Sequence, residues 1–163
     1  MDLADVQRVG DGVVIRPRFD PEPRAFDSLT EEHWDAAWEQ PMRATIEALQ
    51  QAHHDGVRHI VVVVPTTGMS GSANYAHVAA PAEAIRVLVK SAARQWGADG
   101  ITVNAVAVDP ASVLRVPEAA GPISLAPAAL PEAEPTKTIE FLCSAAAADI
   151  TGQTITVDGG RWL

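Results

Sequence analysis

Asp149-Ile-Thr-Gly-Gln-Thr-Ile-Thr-Val-Asp-Gly-Gly160 is the stretch on which the reading of this chain turns. Residues 153–157 read as a short final strand, and the glycines after Asp158 are turn residues that end it. Upstream, Ile101-Thr-Val-Asn-Ala-Val-Ala-Val108 reads as a core strand. Arg58-His-Ile-Val-Val-Val-Val64 is a β-branched run without alternation, as expected of a strand buried on both faces of a parallel sheet. Gly12-Val-Val-Ile15 gives a shorter strand, followed by a proline- and arginine-rich loop over residues 16–24.

Helices alternate with these strands. Ser28-Leu-Thr-Glu31 fits a capping box with Ser28 as the N-cap, opening a helix to about residue 54 that Gly56 closes. Pro41 lies inside it and is expected to bend it. Pro81 suits the first position of a second helix over residues 82–96, whose Ile85, Leu88, Val89 and Ala92 share one face. A loop rich in proline and alanine spans residues 109–135, and residues 138–147 read as helical. The order implies an α/β fold, a parallel sheet with right-handed crossovers and helices on both faces.

Composition sets the outer bounds. At 163 residues the chain has the length of one domain. A net charge of −9 argues against nucleic acid or an anionic membrane as partner, since both require clustered Lys and Arg. The acidic start, Met1-Asp-Leu-Ala-Asp5, is unlike a signal peptide, and apolar runs such as residues 60–64 are too short to cross a bilayer. With one cysteine, Cys143, no internal disulfide forms, and a cytoplasmic location is expected. Cys143 itself reads as a buried, inert thiol.

Ile101-Thr-Val-Asn-Ala-Val-Ala107, Phe141-Leu-Cys-Ser144 and the closing stretch Ile150 to Gly160, in that order, resemble the short-chain dehydrogenase/reductase family. Thr30-Glu-Glu-His-Trp-Asp35 extends the resemblance upstream, so that it covers residues 11–163. The resemblance implies the C-terminal half of a Rossmann-like fold: residues 1–163 would form one domain lacking the dinucleotide-binding half. The chain would begin near the family's fourth strand, with Arg16-Pro-Arg-Phe19 where the family carries Asn-Asn-Ala-Gly. Gly68-Met-Ser-Gly-Ser72 is glycine-rich but follows the next strand, so it reads as a substrate-side loop rather than a phosphate cradle.

Members of the family use a Tyr as acid/base, a Lys four residues later, a Ser that positions the carbonyl and a helix Asn that completes a proton relay. Counting back from Asn104 places the Tyr position at Val78 and the Lys position at Ala82. Counting forward from Val64 places the Ser at Pro65, thirteen residues before Val78, and counting from Trp34 places the Asn at Pro41. All four are apolar. Each lost proton-transfer group typically costs roughly 10²- to 10⁴-fold in rate. No nicotinamide cofactor and no metal is therefore expected, nor any NAD(P)-dependent oxidoreductase activity from this chain alone.

The weaker candidates are four polar residues near the family's substrate pocket: Tyr75, His77, Glu83 and Asp109. They could serve a cofactor-independent isomerase, lyase or cyclase on a polyketide-like or acyl substrate; otherwise each is a loop residue with a solvated tip. A slipped alignment would put Tyr75 at the Tyr position but Ala79 at the Lys position, breaking both spacings. His53, His54, Asp55 and His59 could suggest a metal, yet histidines at a helix C-terminus also suit its dipole. The principal expectation is a non-catalytic pseudo-reductase that forms a homo-oligomer, or a hetero-oligomer with a catalytic relative. The two long helices, the last helix and the last strand resemble the family's subunit contacts. Trp162 would be an anchor in one of them, and residues 13–15 would be an exposed sheet edge unless covered.

Overall fold

The computed structural model describes residues 4–121 and 133–161. Five strands form one sheet in chain order: β1 (Ala4–Val9), β2 (Gly12–Pro17), β3 (His59–Pro65), β4 (Thr102–Val108) and β5 (Thr154–Val157). β2 to β5 are mutually parallel, with Val61 opposite Asn104 and Val106 opposite Ile155. Among the described residues four α-helices accompany them: α1 (Glu31–His54), α2 (Thr67–Ser70), α3 (Ala76–Trp96) and α4 (Thr136–Leu142). Trp162 lies outside the described residues.

Strand alternation divides the core into two layers. Ile15, Ile60, Val62, Val103 and Ala105 pack with Leu49 and Ala52 of α1 and with Ile85 and Val89 of α3. Val14, Val61, Val106 and Val108 face the other way, onto Ile139 and Leu142 of α4 and onto Cys143. Helices therefore cover both faces, as the unalternating β-branched runs require.

Four features differ from the sequence reading. β1 was not anticipated: it pairs antiparallel with all of β2, from Ala4 opposite Pro17 to Val9 opposite Gly12. The sheet is thus mixed rather than wholly parallel, and residues 13–15 are not an exposed edge, because β1 covers them. The N-cap of α1 is Thr30 and not Ser28. The Thr30 hydroxyl accepts from the His33 N–H at 3.2 Å, and His33 Nδ1 reaches back to the Thr30 N–H. A histidine fills the role of glutamate in this capping box, while Ser28 closes a separate 3-10 turn by donating to the Ala25 carbonyl at 2.8 Å.

α3 begins at Ala76, so Pro81 lies within the helix instead of at its first position. Only one backbone donor is missing there, and the surrounding alanines favour the helix. Residues 138–147 are likewise not one helix: α4 ends at Leu142 and a separate 3-10 turn spans Ala145–Ala147. α1 runs without interruption through Pro41, whose carbonyl accepts from Thr45 Oγ1 at 2.7 Å.

Candidate functional site

The carboxyl ends of β2, β3 and β4 are where open α/β sheets place their ligands. The residues expected from the sequence at the family's relay positions carry no proton-transfer group. Pro65 ends β3, Val78 lies in the first turn of α3, and Ala82 follows one turn later; all three are buried. Val78 packs with Tyr75 and Leu114, and Ala82 packs in the layer shared with α1. Pro41 is buried in the interior of α1. The next two residues after Pro65, Thr66 and Thr67, bury hydroxyls that have no hydrogen-bond partner among the described residues.

Tyr75 and His77 are brought together, with ring centroids 5.9 Å apart. Both are fully buried. The Tyr75 phenol oxygen lies 3.2 Å from the Pro21 carbonyl and 3.2 Å from the Val116 carbonyl, and accepts from the Val116 N–H at 3.4 Å. Burial raises its pKa, so the phenol keeps its proton. These contacts tie the loop after β2 to the loop after β4, which makes Tyr75 a positioning residue for both.

His77 faces the same loop. Its Nε2 is 4.0 Å from Asp20 Oδ2, and neither ring nitrogen has a hydrogen-bond partner among the described residues. Burial lowers its pKa, outweighing the upward pull of the Asp20 carboxylate. Asp20 is held on its other side by Arg24 Nε at 2.8 Å and by the Glu22 N–H at 3.1 Å. Burial works against the Asp20 carboxylate, yet these donors prevail and leave its pKa below the ordinary value. Arg24 Nη1 in turn lies 3.4 Å from His33 Nε2, linking this cluster to the cap of α1. Asp20, Arg24 and His33 were not among the sequence candidates. The four-residue spacing of Asp20 and Arg24 is the local signal that could have pointed to them.

Asp109 and Glu83 are not part of this cluster. Asp109 accepts from the Ala111 N–H at 2.9 Å, capping a 3-10 turn, and pairs with Arg161. Glu83 pairs with Arg86, whose Nε donates to Thr154 Oγ1 at 3.2 Å. The histidines considered for metal are dispersed. His53 stacks on Trp96 at 4.6 Å, whereas His59 Nδ1 meets Thr102 Oγ1 at 2.9 Å. No group of three potential ligands is assembled among the described residues. Nor is any described helix long and apolar enough to cross a membrane.

The residues present do not fit a dinucleotide. A pyrophosphate is held by a glycine turn that opens a helix, where unpaired N–H groups point at the phosphates. Here the turn after β1, at Gly10 and Asp11, opens strand β2. Arg16, Pro17, Arg18 and Phe19 occupy the exit from β2, placing bulk and a missing N–H where close backbone approach is needed. Gly68 is accounted for by packing, since a Cβ there would lie 2.9 Å from the Ala79 carbonyl of α3.

Against known proteins, residues 11–161 match the family described as enoyl-(acyl carrier protein) reductase. The 3-oxoacyl-(acyl-carrier-protein) reductase of Escherichia coli is 37% identical over 128 residues, covering 74% of this chain and 51% of that enzyme. Its Staphylococcus aureus counterpart is 33% identical over 149 residues, covering 83% and 59% respectively. The chain thus spans about half the length of the curated relatives it matches. Among solved structures, levodione reductase superposes with a TM-score of 0.71 at 18% identity, covering 91% of this chain and 65% of that one. A protein described as a dehalogenation enzyme gives 0.66 at 28% identity, covering 91% and 67%.

Proposed function

Starting from a chain that belongs to the short-chain dehydrogenase/reductase family, we propose that it acts as a non-catalytic, reductase-like subunit, assembling with itself or with a full-length catalytic relative. One observation carries this reading. The four positions counted as the family's proton relay hold Pro41, Pro65, Val78 and Ala82, all buried, with Val78 and Ala82 packed in apolar clusters. A hydride transfer to a carbonyl needs a proton delivered to the developing alkoxide, and none of these side chains can deliver one.

Two further features support it. In a doubly wound sheet of order 3-2-1-4-5-6, the fourth strand lies beside the first. With β2 matched to the fourth strand, that place is taken by β1, running antiparallel, so the edge of β2 is not free for a dinucleotide-binding strand. Meanwhile the outer side of α1 keeps apolar surface: Trp34 and Trp38 stack at 5.8 Å, with Ile46 exposed further along the helix. This helix resembles one that forms subunit contacts in the family.

Two measurements test the reading. Titration of the purified protein with NADH or NADPH should give no saturable signal, and a micromolar dissociation constant would overturn the non-catalytic part. Purification from the native host followed by mass measurement should give a species heavier than one chain. A single-chain mass at every concentration, with no partner retained, would overturn the assembly part.

A further inference from the structure

We infer that the cleft at the carboxyl ends of β2, β3 and β4 binds an anionic amphiphile, a hydrocarbon body bearing a carboxylate or phosphate head, with Arg16 and Arg18 receiving the head. The cleft holds about 560 Å³, a size typical of small-molecule sites. Its walls are largely apolar: Val63 and Val108 come from the sheet, Ile139 from α4 and Phe19 from the loop after β2. A hydrocarbon chain gains by leaving water on these apolar walls.

The head group is specified by charge. The chain carries 21 acidic against 12 basic residues other than histidine, yet two arginines line this one cleft and Asp5 is the one carboxylate lining it among the described residues. The Arg16 side chain donates from Nη1 to Gln7 Oε1 at 3.3 Å and makes no other hydrogen bond or ion pair among the described residues, Asp5 included. Arg18 is exposed and forms no ion pair among the described residues. A guanidinium matches carboxylate and phosphate oxygens in a two-pronged geometry, which is why arginine suits either head.

The wall that carries Arg18 and Phe19 is also built in advance. Behind it the Pro21 carbonyl accepts from the Arg115 N–H at 2.9 Å and faces the Tyr75 phenol, and the Arg24 N–H donates to the Asn74 carbonyl at 2.7 Å. Pro17 and Pro21 fix the backbone on either side of Phe19. A wall already held in place reduces the ordering cost of binding. This assigns a purpose to the buried hydrogen bonds of Tyr75 without requiring that it touch a ligand.

Calorimetric titration with decanoate, decyl phosphate and decanol tests the inference on the intact protein. Wild type should bind at least one of the anions at least tenfold more tightly than decanol, and the tighter of the two identifies the head group. The double variant Arg16→Ala/Arg18→Ala should lose that advantage, whereas Arg8→Ala, on β1 and outside the cleft, should retain it. Equal binding of decanol, an advantage that survives the double variant, an equal loss in Arg8→Ala, or no binding of either anion at millimolar concentration would each overturn the proposal. The assembly reading rests on mass alone, so a failure here leaves it standing.

Discussion

His77 Nε2 lies 4.0 Å from Asp20 Oδ2, while both nitrogens of the fully buried imidazole lack a hydrogen-bond partner among the described residues. A buried polar group left in this state typically costs about 1–3 kcal/mol, so the residue is a point of latent instability at the junction of α3 with the loop after β2.

The pH dependence follows from the direction of the shift. Burial lowers the folded-state pKa of His77 beneath its ordinary value of 6.5, against the upward pull of Asp20 and of the Glu22 backbone and with the repulsion of Arg24 and His33. As pH falls through that ordinary value the unfolded chain takes up a proton and the folded chain does not, so stability is lost until the folded pKa is reached. Asp20, with its pKa lowered, loses its contribution only below 3.8. The melting temperature should therefore fall as the pH is lowered through 6.5, the ordinary value of the imidazole, and His77→Phe should flatten that slope. An identical slope in the variant would refute the assignment to His77.

Gly12 opens β2 under close contact from two sides. A Cβ at this position would lie 2.7 Å from the His59 carbonyl oxygen and 2.8 Å from Cys143 Cβ. The first neighbour is backbone of the adjacent strand and the second belongs to the packed turn after α4, so neither yields easily. Gly12→Ala should destabilise the fold by about 1–3 kcal/mol, read as a lower urea midpoint with an unchanged slope. A change under about 0.5 kcal/mol, the scale of ordinary surface substitutions, would show that β2 and the turn can separate freely.

The physics of the individual elements explains what could be read in the sequence. β3 was legible because burial on both faces leaves an unbroken β-branched run, and β4 because its Val and Ala residues outnumber the polar Thr102 and Asn104. β1 was not: Ala4–Val9 carries Asp5, Gln7 and Arg8 on an exposed edge, and only its pairing with β2 makes it a strand. The start of α3 was misplaced because Pro81 favours a first turn but is tolerated in the second. The contacts of Tyr75 and His77 with residues 20–24 were invisible for a different reason. Tyr75 and Pro21 are 54 positions apart, and irregular loops leave no periodic trace of what they touch.

Cys143 should behave as a packing residue. It is buried against β2 in the layer with Val14 and Val61, and burial pushes its thiol pKa up to about 11, with Arg16 pulling weakly the other way. Only the thiolate attacks alkylating reagents. Native protein at about pH 8, near the ordinary thiol pKa, should therefore resist iodoacetamide and react fully once unfolded in urea. Rapid labelling of the native state would mean that the contact between β2 and the residues after α4 opens readily.

Assembly should depend on the outer side of α1. Trp34, Trp38, Met42 and Ile46 recur every four residues, the spacing that places side chains on one side of a helix. Trp34 is 37% exposed and Ile46 38%, whereas Leu49 and Ala52 further along face the core. Aromatic side chains arranged this way commonly anchor contacts, and truncating one can cost about 2 kcal/mol or more. Trp38→Ala should accordingly raise the dissociation constant of the assembly at least tenfold while shifting the melting temperature little, because Trp38 is only partly buried in the single chain. Phe26→Ala provides the comparison. Phe26 is 78% exposed, but it lies in the 3-10 turn before α1 and off that stripe, so its loss should leave the mass unchanged. Light scattering across a dilution series decides between the two. Equal weakening by both substitutions would mean that general surface hydrophobicity drives association, and no weakening by Trp38→Ala would move the contact to the side of the sheet covered by α4.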